Sequence, residues 1–150
     1  MTTVQINMTK VLNGAIQSVK SILPISLSIE SPSLFKEKAL HSSMAVLIGM
    51  TGDIKGRIII EGKPQTFSSI GEMMYGMQLD GEMLESFTGE LGNMIAGNLA
   101  TNASQNELVM DITPPTLIVG EIKLTSYNQA IRVPISIGSS EGLGVILMVE

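Results

Sequence analysis

Met44-Ala45-Val46-Leu47-Ile48-Gly49-Met50, then Thr51-Gly52-Asp53, then Gly56-Arg57-Ile58-Ile59-Ile60-Glu61 is the stretch on which the fold turns. A short apolar run, a turn and a returning β-branched run predict an antiparallel hairpin. Upstream, Met8, Val11, Leu12, Ala15, Val19, Ile22 and Leu23 recur at i, i+3, i+4 spacing, predicting an amphipathic helix over 4–23 that Pro24 ends. Ile25, Leu27 and Ile29 then alternate with Ser26, Ser28 and Glu30, the period of a half-buried strand. Downstream, two helices are expected, one over 67–77 and one from Asp80 as N-cap to about Asn102, with Glu82 and Glu85 at the positive end of the second helix dipole. Strand candidates follow at Leu108–Ile112, Thr116–Lys123, Ile131–Ile137 and Leu143–Val149. In the third of these, Pro134 cannot donate to a ladder and must sit at an edge or a non-bonded position.

This is an α+β pattern in the order α-βββ-α-α-βββ, within one domain over 1–150. It predicts a mostly antiparallel sheet of about six strands with the helices packed on one face. The hairpin ending in Gly56–Glu61 resembles Ile135-Ser136-Ile137-Gly138 followed by a turn and Gly144 to Glu150, so the chain reads as an internal pseudo-two-fold repeat. The alternative is that two Ile-rich hairpins resemble each other by composition alone.

Composition narrows the function. Hydrophobic residues make up 44% and charged residues 15%, which rules out a disordered segment. Aromatics are 3%, so Ile, Leu, Val and Met must build the core; Met73, Met74 and Met77 read as core filler, with a Met-lined partner groove as the alternative. The net charge of −5 and the absence of any basic stripe argue against nucleic acid or an anionic membrane as partner. Without cysteine, thiolate chemistry and disulfides are excluded. No run approaches the ~20 apolar residues of a bilayer span, and the N-terminus lacks signal-peptide character, so a cytoplasmic location is expected.

The helix from Asp80 carries the chemistry. Leu84, Phe87, Leu91, Met94, Ile95 and Leu99 form its core face. Glu90 and Asn93 are three residues apart, about 60° from each other and roughly opposite that face, with Ser86 and Gly97 beside them. Gly89, Gly92 and Gly97 each cost about 1 kcal/mol against alanine inside a helix. Tight packing accounts for Gly92, which lies to the side. Gly89 and Gly97 instead suggest a face kept low for a partner, with Ser86, Gly89 and Gly97 as its partner-binding surround.

Glu90-Leu91-Gly92-Asn93-Met94-Ile95-Ala96-Gly97-Asn98 resembles the signature helix of the CheC/CheX/FliY response-regulator phosphatases, CheX-like members above all, and Asp111-Ile112-Thr113-Pro114-Pro115-Thr116-Leu117-Ile118-Val119-Gly120 is similar to their Pro-Pro-Thr segment. The resemblance covers essentially the whole chain. It implies hydrolysis of the aspartyl phosphate of a phosphorylated CheY-like response regulator, with Glu90 docking on the regulator's active-site lysine and Asn93 entering its active site. It also implies no cofactor of the chain's own, since the regulator brings its magnesium, and a homodimer, for which strand-rich edges leave room. CheC-like members carry the Glu-x-x-Asn pair on two helices. Here the first helix has Lys10-Val11-Leu12-Asn13, with Lys at the Glu position, and Ser69 to Gly76 lacks the pair, so a single-site, CheX-like activity is expected.

The residue types suit the reaction. An acyl phosphate has a good leaving group, and what hydrolysis lacks is a water held in line with it. A carboxamide is too weakly basic to take a proton, but it can accept a hydrogen bond from water and donate another to a phosphoryl oxygen. The alternative is a non-catalytic CheX-like binding module that sequesters a response regulator. His41, next to Ser42 and Ser43, reads as a loop residue, the glycine-rich stretch 138–144 as a hairpin turn, and Pro114-Pro115 as a rigid lead into the next strand.

Overall fold

In the computed structural model the described residues are 2–23, 25–41, 43–138 and 140–150. Helix α1 (Thr3–Ile22) starts in a capping box: the Thr2 side chain accepts from the Gln5 N–H, and the Gln5 side chain accepts from the Thr2 N–H. Pro24 lies outside the described residues. Three short strands follow: β1 (Leu27–Ile29), β2 (Ser33–Leu34) and β3 (Ala39–Leu40). The expected hairpin is β4 (Met44–Gly52) and β5 (Gly56–Gly62). Helix α2 (Pro64–Tyr75) takes Pro64 in its first turn and stops at Gly76, whose φ of 73° closes the helix in the left-handed conformation.

Helix α3 (Gly81–Gln105) runs three residues beyond the expected Asn102. Asp80 occupies its N-cap position in extended backbone, but its side chain makes no capping hydrogen bond. The remaining strands are β6 (Met110–Ile112), β7 (Thr116–Val119), β8 (Ile122–Lys123), β9 (Gln129–Ile137) and β10 (Ser140–Val149). The expected strand over 116–123 is two strands, because Gly120 turns the chain at φ 108°. Strand β10 begins three residues earlier than expected, and a register shift between Ser140 and Leu143 absorbs the extra length as a bulge. Ser139, in the expected hairpin turn, lies outside the described residues.

The main sheet is antiparallel, in the order β1-β9-β10-β5-β4-β6, with β2 also pairing β9 and β7 also pairing β4. It is therefore six positions wide, but each outer position is filled by two short segments end to end. That makes eight strands among the described residues rather than about six, and a separate ribbon of β3 with β8 adds two more. Pro134 explains one break. It lies on β9, an interior strand, and its carbonyl accepts from the Glu30 N–H at 2.9 Å. Its missing N–H falls on the same side, between the segments β1 and β2, which is the non-bonded position the sequence required.

The sheet order reads alike from both edges. β5 and β10 lie at the centre, β4 and β9 outside them, and the split pairs β6/β7 and β1/β2 at the rims. The ribbon pairs the third strand of one half with the third strand of the other. The internal pseudo-two-fold is thus a property of the topology.

Alternation divides the core. Val46, Ile48, Ile58, Ile60, Val145 and Leu147 pack with α1, α2 and α3 in the larger cluster. Ala45, Ile59, Ile146 and Met148 point to the opposite face, where Phe35, Leu40 and Leu124 cover them. The three helices of the described residues lie on one face, as expected. The other face is roofed by loop and ribbon residues.

Candidate functional site

Helix α3 owes its orientation to a wide buried arc. Leu84, Phe87, Leu91, Ile95 and Leu99 are buried, and Thr88, Gly92, Ala96 and Ala103 are buried with them. Met94, expected in the core, is only half-buried at the margin of the arc. Gly92 lies within the arc rather than to the side, because a Cβ built there would overlap Val46 Cγ1 on β4. The close approach is helix against sheet, and it fixes the rotation of α3.

The opposite face is open. Glu90, Asn93, Ser86 and Gly97 are exposed, and Gly89 is half-buried on the flank nearest Asn93. A Cβ on Gly89 or Gly97 would have nothing within 4 Å among the described residues. Packing therefore does not account for these two glycines. Neither the Glu90 nor the Asn93 side chain is engaged in a hydrogen bond or ion pair among the described residues. A free carboxylate and a free carboxamide thus project side by side, separated by one helical turn, from a surface lowered by glycine. The arrangement can present an acceptor-only group to a cation and a donor–acceptor group to a water or oxyanion.

The corresponding place on α1 is built differently. Asn13 is exposed, but Lys10 is half-buried and its ammonium donates to the Asn106 carbonyl at 3.3 Å, at the C-terminus of α3. Lys10 therefore closes the end of the neighbouring helix. In the second echo, on α2, Gly71 is buried against Leu79 and Phe87.

Two of the methionines read as core filler stand elsewhere. Met73 and Met77 are 54% and 50% exposed, and only Met74 is half-buried against the core. Met83 on the first turn of α3 is exposed as well, and Tyr75 is exposed while its ring meets Phe87 edge-on at 5.8 Å. Reading methionine as plain hydrophobic missed this corner, because the residue type is equally at home in a core and on a contact surface. His41 is a loop residue whose Nδ1 faces Glu121 at 3.7 Å; Ser42 lies outside the described residues. Among the described residues no cluster of three or more His, Asp or Glu side chains could hold a metal ion, and no helix is long and apolar enough to cross a membrane.

An antiparallel sheet with helices on one face is the fold of the CheC-like superfamily. A structure of that superfamily from Shewanella sp. PV-4 is similar over 93% of this chain and 96% of that one, with a TM-score of 0.79 and 25% identity. Residues 44–136 match the family described as chemotaxis phosphatase CheX. A protein of Thermotoga maritima named CheY-P phosphatase CheX is 33% identical over 144 residues, covering 93% of this chain and 92% of that protein. The CheX-CheY-BeF3-Mg2+ complex of Borrelia burgdorferi contains a structure 26% identical, covering 95% of this chain and 97% of that one, with a TM-score of 0.78. The chain belongs to the CheX chemotaxis phosphatase family.

Proposed function

We propose that this protein is a phosphatase that accelerates hydrolysis of the aspartyl phosphate on a CheY-like response regulator. The observation that carries the proposal is the outward, unengaged placement of Glu90 and Asn93 on one face of α3. The chemotaxis phosphatase family and the named relatives support the reaction class.

In this reading Glu90 pairs with the lysine of the regulator's active site and sets the angle at which α3 enters. The Asn93 carboxamide oxygen accepts a hydrogen bond from a water, and its amide donates to a phosphoryl oxygen. The water oxygen attacks phosphorus while the bond to the aspartyl oxygen breaks. The aspartate leaves as carboxylate, and the water's protons end on inorganic phosphate and solvent. Magnesium, like the lysine, belongs to the regulator and screens the phosphoryl charge; the chain needs no cofactor of its own. The contribution of Asn93 is positioning, and fixing a reactant in line is worth several kcal/mol, each factor of ten in rate taking about 1.4. Substrates of this kind place the protein's work in the cytoplasm.

The test is phosphate release from a panel of phosphorylated CheY-like receivers, with and without the protein. Faster release from at least one receiver, lost in Asn93→Ala while binding persists, is the expected result. Binding with no change in phosphate lifetime would make the protein a sequestering module instead. Full activity of Asn93→Ala would remove Asn93 from the mechanism.

A further inference from the structure

Tyr75, Met77 and Met83 lie at the corner between α2 and α3, each at least half exposed, and Met73 is exposed on the far side of α2 from Tyr75. Three large apolar side chains in solvent at one corner are unusual for a surface with no partner. Gly76 at φ 73° and Gly81 at φ 53° shape the corner, and the Tyr75 ring is braced on Phe87, so part of the patch has a rigid floor. Met83 precedes Glu90 by two helical turns, which returns it to the same face about 10 Å along the axis. The stripe Met83, Ser86, Glu90, Asn93 and Gly97 is therefore continuous, and its N-terminal end merges with the apolar corner.

The charge on α2 and α3, the two helices that form the patch, has one sign. Glu72, Asp80, Glu82 and Glu85 are exposed around it, and no Lys or Arg occurs from residue 64 to residue 122. A second copy of the same corner would bring like charges together. A surface that is apolar at its centre and fringed by Lys or Arg fits it.

We propose that the corner is the second half of the docking surface for the phosphorylated response regulator, taking an apolar, lysine- or arginine-fringed patch of the receiver beside its phospho-aspartate pocket. This rests on the reading of Glu90 and Asn93 given above. In it, the corner sets affinity and choice of regulator, while Asn93 sets the rate of the bound complex. Methionine suits the task because its flexible thioether chain can remould against the receiver.

The experiment is steady-state phosphate release from a CheY-like receiver charged with acetyl phosphate, using the full chain. M77S/M83S is expected to raise KM roughly tenfold, with most of the loss recovered at saturating receiver. E82K/E85K is expected to slow association most at low salt. N93A run beside them is expected to lose kcat and keep KM. A KM unchanged in both corner variants, with N93A inactive, overturns the docking proposal and leaves the phosphatase reading standing. An active N93A sinks that reading separately. A fall from dimer to monomer in M77S/M83S with KM unchanged assigns the corner to self-association and also overturns the proposal. Thermal melts of each variant report folding, and the substituted side chains are exposed.

Discussion

Gly92 of α3 lies directly against Val46 of β4, so closely that a β-carbon at position 92 would overlap Val46 Cγ1. That contact seats the helix on the sheet and turns Glu90 and Asn93 to solvent. Gly92→Ala should therefore destabilise the fold by about 1–3 kcal/mol through overpacking, although alanine is the better helix former. Urea denaturation checks the sign.

Gly97 behaves oppositely. Nothing lies near its missing Cβ, so Gly97→Ala should stabilise α3 by up to about 1 kcal/mol. Gly97→Leu should fold equally well and yet weaken phosphate release, because bulk raises the face on which the regulator lies. A stable and fully active Gly97→Leu would show that the low surface is not needed.

Charge reversal separates docking from chemistry. Glu90→Lys should raise KM for the phosphorylated receiver by tenfold or more and slow association, since two ammonium groups would then face each other. Asn93→Ala should instead reduce kcat by about two orders of magnitude, the scale of losing one positioned group. Steady-state phosphate release over a range of receiver concentrations distinguishes the two.

Asn13 should be dispensable. Its would-be partner Lys10 is held on the Asn106 carbonyl, so α1 offers no second site. Asn13→Ala should leave phosphate release unchanged, whereas Lys10→Met should lower stability by about 0.5–1 kcal/mol through loss of a partly exposed charge-assisted hydrogen bond. An activity loss in Asn13→Ala would mean that both helices work.

The ion pair of Glu61 and Arg132 spans β10 at Gly144, with Nη2 2.6 Å from Oε1. A Cβ at Gly144 would strike both partners. Glu61→Ala should cost about 2–3 kcal/mol, below the full value for a buried pair because the Arg132 side chain is 35% exposed. Thermal unfolding of Glu61→Ala and Gly144→Ala should shift in the same direction.

How much of this was legible follows from which signals are local. The apolar runs Val46-Leu47-Ile48 and Ile58-Ile59-Ile60 announce the hairpin in the sequence, but not which residues face the helices and which the opposite cover. The wheel of α3 is legible, since Glu90 and Asn93 face away from the core wherever the helix packs. The split rim beside β9 was not legible: it depends on which segments come to lie against Pro134, a tertiary fact. The break between β7 and β8 was not legible either, since only the positive φ of 108° at Gly120 distinguishes it from an ordinary strand glycine. The direction of Gly92 and the exposure of Met73 and Met77 were beyond local reading too, because neither residue type signals inside from outside.

The exchanged rims have one more consequence. Each half of the chain lends its outer segments to the opposite half: β1 and β2 border β9, while β6 and β7 border β4. Neither half is a complete fold, so severing the backbone at the corner between α2 and α3 yields two fragments with raw sheet edges, each the only template the other fits. The molecule is two interlocked pieces on one thread, and co-expressed fragments should reassemble where either alone precipitates.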